Sequence, residues 1–370
     1  MLKKIIISIV VLAFLGFGLY YKTEVEPLRR PQVSSSGKPI VRIGAIFPLT
    51  GNMADIGYAA YKGFAKGIED ANANPQNRLY YELLAEDDQM QPRRTKTIAD
   101  KFVYLDRVNV LIGLFSTSVR VIAPIAAQRQ ILNFNLAYAD AGLGTRYNFQ
   151  NFTTTEAEAD ALTRFLISRN ITDVFLFFAN QGGADDLLAR LLPKLKEQNI
   201  RVVMERFNPG ERRFAIPVMK IKRTNTQAVL VYAFSPEQDI IAKEFRQQKL
   251  KKIVNFVDGI RMARDLSSYE GWYNTGAVGL SSEVQRYLGL DGKNPAYANY
   301  LYDSATMIVN AFERTYDGVN IPSADAVSAT LLSRQKYSGL VGDYVLDDRG
   351  QFHSPVETTM IKDGAFVKVE

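Results

Sequence analysis

The chain alternates between short apolar runs and longer stretches in which apolar residues recur every three or four positions. Residues 41–47 (VRIGAIF) form a strand-length run that ends at Pro48-Leu49-Thr50-Gly51, a stretch that cannot continue a strand. Beyond it Ile56, Ala60, Phe64 and Ile68 fall four apart, on one face of a helix. Strand, loop and helix make the first half of a βαβ unit. In open parallel sheets, ligands bind beyond the carboxyl ends of the strands, where helix N-termini point. The loop after the first strand is therefore a candidate wall of a binding site.

The alternation continues with a strand at 79–85 ending in Glu86-Asp87-Asp88, and a helix opened by Pro92 with Ile98, Phe102 and Leu105 on one face. A strand at 108–114, a Ser-Thr-Ser turn at 116–118, a helix near 123–128 and a strand at 131–134 follow. This series predicts a doubly wound α/β sheet. Thr153-Thr154-Thr155 interrupts it, and a second series begins. It holds a helix at 158–168, a strand at 171–179, the Gly182-Gly183 turn, a helix at 184–198 and a strand at 201–207. A helix at 214–222, a strand at 228–234, a helix at 236–248 and a strand at 253–257 complete it. The two halves share a plan but no sequence repeat. Trp272 and Tyr273 read as core or rim packing. Residues 297–316 form a long amphipathic helix, and 337–369 switch to short strands with turns at Asp348-Arg349-Gly350 and Asp363-Gly364.

Composition narrows the function. With 370 residues and 47% apolar content the chain can build two domain-sized cores. Its formal charge of +6 suggests nucleic acid only until it is located. Six basic and two acidic side chains fall in residues 1–39, leaving the body at +2, so no nucleic-acid partner is expected. The absence of cysteine excludes disulfides, thiolate zinc sites, a thiol nucleophile and a lipidated cysteine anchor. His353 is the single histidine, which excludes a Ser-His-Asp triad and a histidine-rich metal site. Glu86-Asp87-Asp88 reads as a solvated strand-end loop rather than a divalent-ion site, and no metal or cofactor is expected. Lys3-Lys4 before an uncharged run at 5–21 has the order of an export signal, read as a signal peptide or an uncleaved membrane anchor. Residues 22–39, with three prolines and Ser34-Ser35-Ser36-Gly37, read as a tether. The membrane is expected to touch the protein only through this N-terminal segment.

Four segments carry a resemblance: VRIGAIFPLTGNMADIGYAAYKGF, ELLAEDDQMQPRRT, YLYDSATMIVNAFERT and YSGLVGDYVLDDRGQFHSPVETTMIKDGAFVKV. They resemble the branched-chain amino-acid (Leu/Ile/Val) binding proteins of ABC transporters. The resemblance implies the type I periplasmic binding-protein fold, an α/β class with two doubly wound Rossmann-like lobes joined by three crossovers. By that analogy lobe one takes 40–155 and 283–336, and lobe two takes 156–282 and 337–370. Thr153-Thr154-Thr155 and Ser281-Ser282 fall where the first two crossovers are expected. The resemblance further implies a periplasmic, non-enzymatic receptor that closes on a small amino acid or related amide or carboxylate and docks on an ABC permease. The alternatives are a membrane-tethered sensor or assembly factor of the same fold, and an exported α/β enzyme using carboxylates at Asp140 and Asp258.

Ser116, Thr117 and Ser118 follow a buried strand and precede a helix, so their hydroxyls and N–H groups favour an anion, by about 0.3–1 kcal/mol from the dipole alone. They also fit an ordinary helix cap; the resemblance assigns a serine here to the ligand carboxylate. The 135–140 loop matches the next ligand loop of the family, where a Ser or Thr hydroxyl is usual, but this chain has Ala139 flanked by Tyr138 and Asp140. Tyr138 either contacts the ligand or covers the loop. Asp258 stands where the family places an acid for the ligand ammonium; read alone, Val257-Asp258-Gly259 also suits a turn capping the next helix. Gly182-Gly183 replaces the family's usual Tyr-Gly, which removes an aromatic lid and implies room for a bulkier ligand or a wetter pocket. Phe234 and Ser235 end a strand as lobe-two contacts, and Ile56 lies where the family can have an aromatic.

Overall fold

The computed structural model of the chain describes residues 33–51, 53–138, 142–263, 265–290 and 297–369. The leader at 1–21 and residues 22–32 of the tether lie outside this set, as do Ala139 and Asp140.

The first strand, β1 (Ile40–Phe47), is buried along most of its length. Val41, Ile43, Ala45 and Phe47 share a core cluster with Phe64 and Ile68 of α1 (Ala54–Ala73), while Ile46 joins Ile98 and Phe102 in a second cluster. A strand covered on both faces in this way is the signature of a parallel sheet between helix layers. β2 (Tyr80–Asp87), α2 (Pro92–Lys101), β3 (Val110–Leu114), α3 (Phe115–Arg129), β4 (Leu132–Leu136) and β5 (Asn148–Asn151) continue it, and these five strands all pair in parallel.

The chain then crosses to a second sheet through 152–154. There α4 (Thr155–Ser168), β6 (Asp173–Ala179), α5 (Gly182–Glu197), β7 (Arg201–Phe207), α6 (Ala215–Arg223), β8 (Ala228–Tyr232), α7 (Glu237–Gln247), β9 (Ile253–Val257) and β10 (Tyr273–Ala277) repeat the plan. Thr154 caps α4, its hydroxyl accepting the Ala157 N–H at 3.0 Å. Residues 278–281 return the chain to α8 (Ser282–Tyr287), α9 (Ala298–Thr315) and α10 (Ala324–Leu332). Helix α9 packs against α1 closely enough that a Cβ at Gly63 would lie 2.0 Å from the Ala298 carbonyl oxygen.

The tail departs from expectation. β11 (Lys336–Ser338), β12 (Asp343–Leu346) and β13 (Gln351–His353) belong to the first sheet, whose order is β11-β12-β13-β5-β4-β3-β1-β2. Only β14 (Val356–Lys362) and β15 (Ala365–Lys368) join the second, ordered β15-β14-β10-β9-β8-β6-β7. The expected boundary at 336–337 is therefore corrected to 354–355. The reason lies in β13. Gln351 and Phe352 pair in parallel with Gln150 and Asn151, the two glutamine side chains bond at 3.0 Å, and Phe352 packs on Phe134, Phe149 and Tyr344. Asp303 of α9 fixes the same region, accepting the N–H groups of Leu340 (2.7 Å) and Val341 (3.0 Å) and the Tyr344 hydroxyl (2.6 Å).

Candidate functional site

β3 passes into α3 with no intervening loop, so the expected turn at 116–118 is the first turn of the helix itself. The change of direction falls on Phe115, which sits at φ +65°, the left-handed region that bulky residues rarely occupy. Such backbone is kept where the surroundings require it, often at binding sites. It places Phe115, Ser116 and Thr117 on the wall of a cleft between the lobes, at the end of a helix whose leading N–H groups lack intrahelical partners. Ser118 turns the other way. It is fully buried, and its hydroxyl donates to Asp88 at 2.6 Å, beside Thr95 Oγ1 at 2.8 Å and the Met90 N–H at 3.0 Å. Its expected contact with ligand is corrected: it holds the 86–91 loop against α3. Asp87 is likewise committed to the first loop. Burial raises its pKa, but bonds from Thr50, Gln89 and Leu49 outweigh that and hold it below the usual carboxylate range.

The cleft measures about 510 Å³ counting its open mouth. Met53, Met90, Leu136, Ala137, Tyr138 and Phe152 reach it from the first lobe; Gln181, Gly182, Gly183, Tyr232 and Phe234 come from the second. Tyr297, at the start of α9, completes the wall and meets Phe152 edge-on at 5.0 Å. Gly182 and Phe234 are thus where the sequence places them. Ile56 is not: it is buried in the core beneath α1, and Met53 takes the position at the cleft. Tyr232, Phe152 and Tyr297 were not singled out by sequence. Tyr232 and Phe152 stand at or just beyond the carboxyl ends of β8 and β5, so the strand-end rule points to them once those strands are placed.

The turn is open at Gly182, where the resembled family has its aromatic, and crowded at Gly183. A Cβ at Gly183 would lie 2.5 Å from the Tyr232 hydroxyl oxygen and 3.2 Å from Tyr138, so rings from β8 and from the loop after β4 already fill that space. At Gly182 a Cβ would meet nothing nearer than Arg120 at 3.9 Å. The lobes also touch at the mouth, where Arg120 Nη2 donates to both Asp186 oxygens at 2.8 and 2.9 Å.

Asp258 is 1% exposed and does not line the cleft, contrary to the expected position. Its Oδ1 accepts the Ala277 N–H at 2.7 Å, and its Oδ2 lies 2.5 Å from the Tyr138 hydroxyl. The same hydroxyl lies 2.5 Å from Oε1 of Glu158, a fully buried residue in the first turn of α4. Burial, and then the neighbouring Asp258, push the Glu158 carboxyl well above its ordinary value; burial also raises Asp258. Tyr138 thus joins the first lobe to two acids of the second. Glu158 was missed because a glutamate three positions after Thr154-Thr155 reads as an ordinary helix-start acid.

A family model described as "Periplasmic binding protein" matches residues 40–365. The chain belongs to the periplasmic binding protein family. Members are solute binders rather than enzymes, and the family places the chain outside the cytoplasm. The Leu/Ile/Val-binding protein homolog 2 of Brucella abortus (strain 2308) is 24% identical over 84% of this chain and 87% of its own length. The structure superposes on a leucine binding protein from Thermotoga maritima with TM-score 0.79 at 20% identity, over 89% of this chain and 98% of that one. A solute binding protein of an ABC transporter from Rhodopseudomonas palustris BisB5, in complex with 3,4-dihydroxybenzoic acid, gives 0.78 at 18% identity, over 89% and 96%. The two-lobed periplasmic binding protein fold of type I is therefore that of this chain, in a family of branched-chain amino-acid binding relatives. Among the described residues no helix is long and apolar enough to cross a membrane.

Proposed function

We propose that this periplasmic binding protein is the solute receptor of an ABC importer, closing its lobes on a small carboxylate-bearing ligand, an amino acid or a related acid or amide. The observation that carries the reading is one cavity with two owners. Ser116 and Thr117, at the N-terminus of α3, face Gln181 and Gly182, at the N-terminus of α5. Two helix starts converging from opposite lobes favour a negatively charged group between them. Aromatic and methionine side chains supply the rest of the wall for an apolar body. In this reading the closed form docks on a membrane permease, because only that form presents both lobes in a fixed arrangement. The ligand shifts the open–closed balance only as far as it binds closed better than open.

Small molecules released by denaturing natively purified protein, identified by mass spectrometry, test this. A single carboxylate-bearing compound near one per chain is expected. A compound that the protein converts on incubation would refute a purely binding role, and a retained cationic molecule with no acid group would refute the anion grip.

A further inference from the structure

Accepting the cleft as the ligand site, we infer that Tyr138 is its selectivity residue: by covering Asp258 and Glu158 it leaves a pocket for organic acids that have an apolar body and no ammonium group. The covering is geometric. Tyr138 lines the cavity and neither acid does, although both are within 2.5 Å of its hydroxyl. The ring is 7% exposed and leans on Phe152 at 5.0 Å, so it does not swing aside freely.

The proton count supports the same conclusion. One phenolic proton cannot be donated to two carboxylates, so the second short contact requires a proton on one carboxyl group. With that proton on Glu158, its O–H donates to the Tyr138 oxygen and the Tyr138 O–H donates to Asp258. Asp258 also receives the Ala277 N–H. The unit then carries a single negative charge, and Glu158 Oε2 is its one carboxyl oxygen without a partner among the described residues. Both Asp258 oxygens and Glu158 Oε1 are committed before a ligand arrives.

An ammonium group in the cleft would instead meet Phe152, Tyr232, Phe234 and Tyr297. Attraction to ring faces offsets only part of the cost of removing an ammonium from water, and a paired carboxylate is what usually covers the remainder. A carboxylate attached to an apolar body meets no such deficit. Its charge goes to the helix starts at Ser116 and Gln181, and its body to the rings.

Matched pairs that differ by the ammonium alone provide the test: 3-phenylpropanoate against L-phenylalanine, and 4-methylpentanoate against L-leucine, titrated calorimetrically into the protein freed of retained ligand. The acid of at least one pair is expected to bind 30-fold or more tighter than its amino acid. Tyr138→Ala, which uncovers the acids, should reduce that ratio at least tenfold. Asp258→Asn, able to bond both Tyr138 and Ala277, should leave the acids within threefold and serves if the first variant fails to fold. Amino acids that bind as tightly as their acids, or a collapse of binding in Asp258→Asn, would overturn the role of Tyr138 while leaving the cleft as the site. Failure of all four probes would overturn the ligand class, and the receptor reading would then be judged separately by the retained-ligand experiment.

Discussion

Adjacent glycines in the cleft should answer very differently to one methyl group. At Gly183 the added carbon falls 2.5 Å from the Tyr232 oxygen, well inside contact distance, and 3.2 Å from Tyr138. Tyr232 has little freedom to yield. It is 2% exposed, with Phe178 at 5.6 Å on one side and Phe234 edge-on at 5.3 Å on another. Overpacking of this kind costs ~1–3 kcal/mol. Replacing a helical glycine by alanine returns ~0.5–1 kcal/mol of backbone entropy. Gly183→Ala should therefore lose up to about 2.5 kcal/mol overall. At Gly182 the nearest atoms are 3.9 Å away, so the entropy gain stands alone and Gly182→Ala should be neutral or up to about 1 kcal/mol more stable. Urea unfolding followed by circular dichroism reads both. Because Tyr232 and Tyr138 are also cavity walls, Gly183→Ala should weaken ligand binding several-fold as well. Equal unfolding midpoints for the two variants would refute the packing around Gly183.

Two further outcomes follow from the groups around the cleft. Ser118→Ala removes a bond to the buried Asp88 carboxylate and should cost ~1.5–3 kcal/mol in denaturant unfolding with little change in ligand affinity. Thr117→Ala, at an exposed position on the wall, should do the reverse, and matching affinity losses in the two variants would contradict the division drawn within the Ser-Thr-Ser turn. The pH dependence of stability should carry the mark of Glu158. Its pKa is raised by burial and by Asp258, with Tyr138, Tyr232 and Tyr297 also facing the group. A raised carboxyl stabilises the fold fully below the ordinary carboxylate range and loses that contribution as pH climbs through the raised value. Melting temperature should therefore fall on going from acid toward neutral and alkaline pH more steeply in the wild type than in Glu158→Gln, and parallel curves would sink the assignment.

How much of this was legible in the sequence depended on whether hydrophobicity carried the signal. β1, β3, β6, β8 and β9 are near-continuous apolar runs, and each appears within a few residues of its expected place. β5 was invisible because its sequence is Asn-Phe-Gln-Asn, yet all four residues are buried. Much of their polarity is absorbed by partners far along the chain, although Gln150 Oε1 and Asn151 Oδ1 have none among the described residues. Asn133 bonds Asn148 at 2.6 Å, Gln351 bonds Gln150, and Asn151 donates to the Tyr300 carbonyl and to Ser304 at 3.0 Å each. No local pattern reveals that a polar tetrapeptide will find such partners 15 to 201 positions away. The misplaced third crossover has the same origin, since Gln351 is what ties β13 to β5. Within the site, Ser116, Gly182 and Phe234 were readable from strand ends and helix starts. The resemblance put Asp258 beside the ligand, because position along a strand says nothing about which neighbouring ring will lie over it.

The two links across the cleft differ in kind, and that difference bears on how the protein closes. Arg120 and Asp186 meet at the mouth with the arginine side chain 49% exposed. A pair of that type contributes about 0.2–1 kcal/mol and weakens with salt. Tyr138, Glu158 and Asp258 meet with almost no exposure, where a hydrogen bond to a charged acceptor is worth more and leaving one unmade costs more still. In an open form water would reach the acids and Glu158 would not need its extra proton. On the proposed reading, closure should therefore take up a proton at Glu158, which calorimetry of ligand binding in buffers of different ionisation enthalpy reads. Buffer-independent heats would refute the coupling, while the ion pair should add a smaller bias that salt removes. In the proposed receptor the ligand would act on top of both, and the apolar wall between them would select which ligands gain from the closed form.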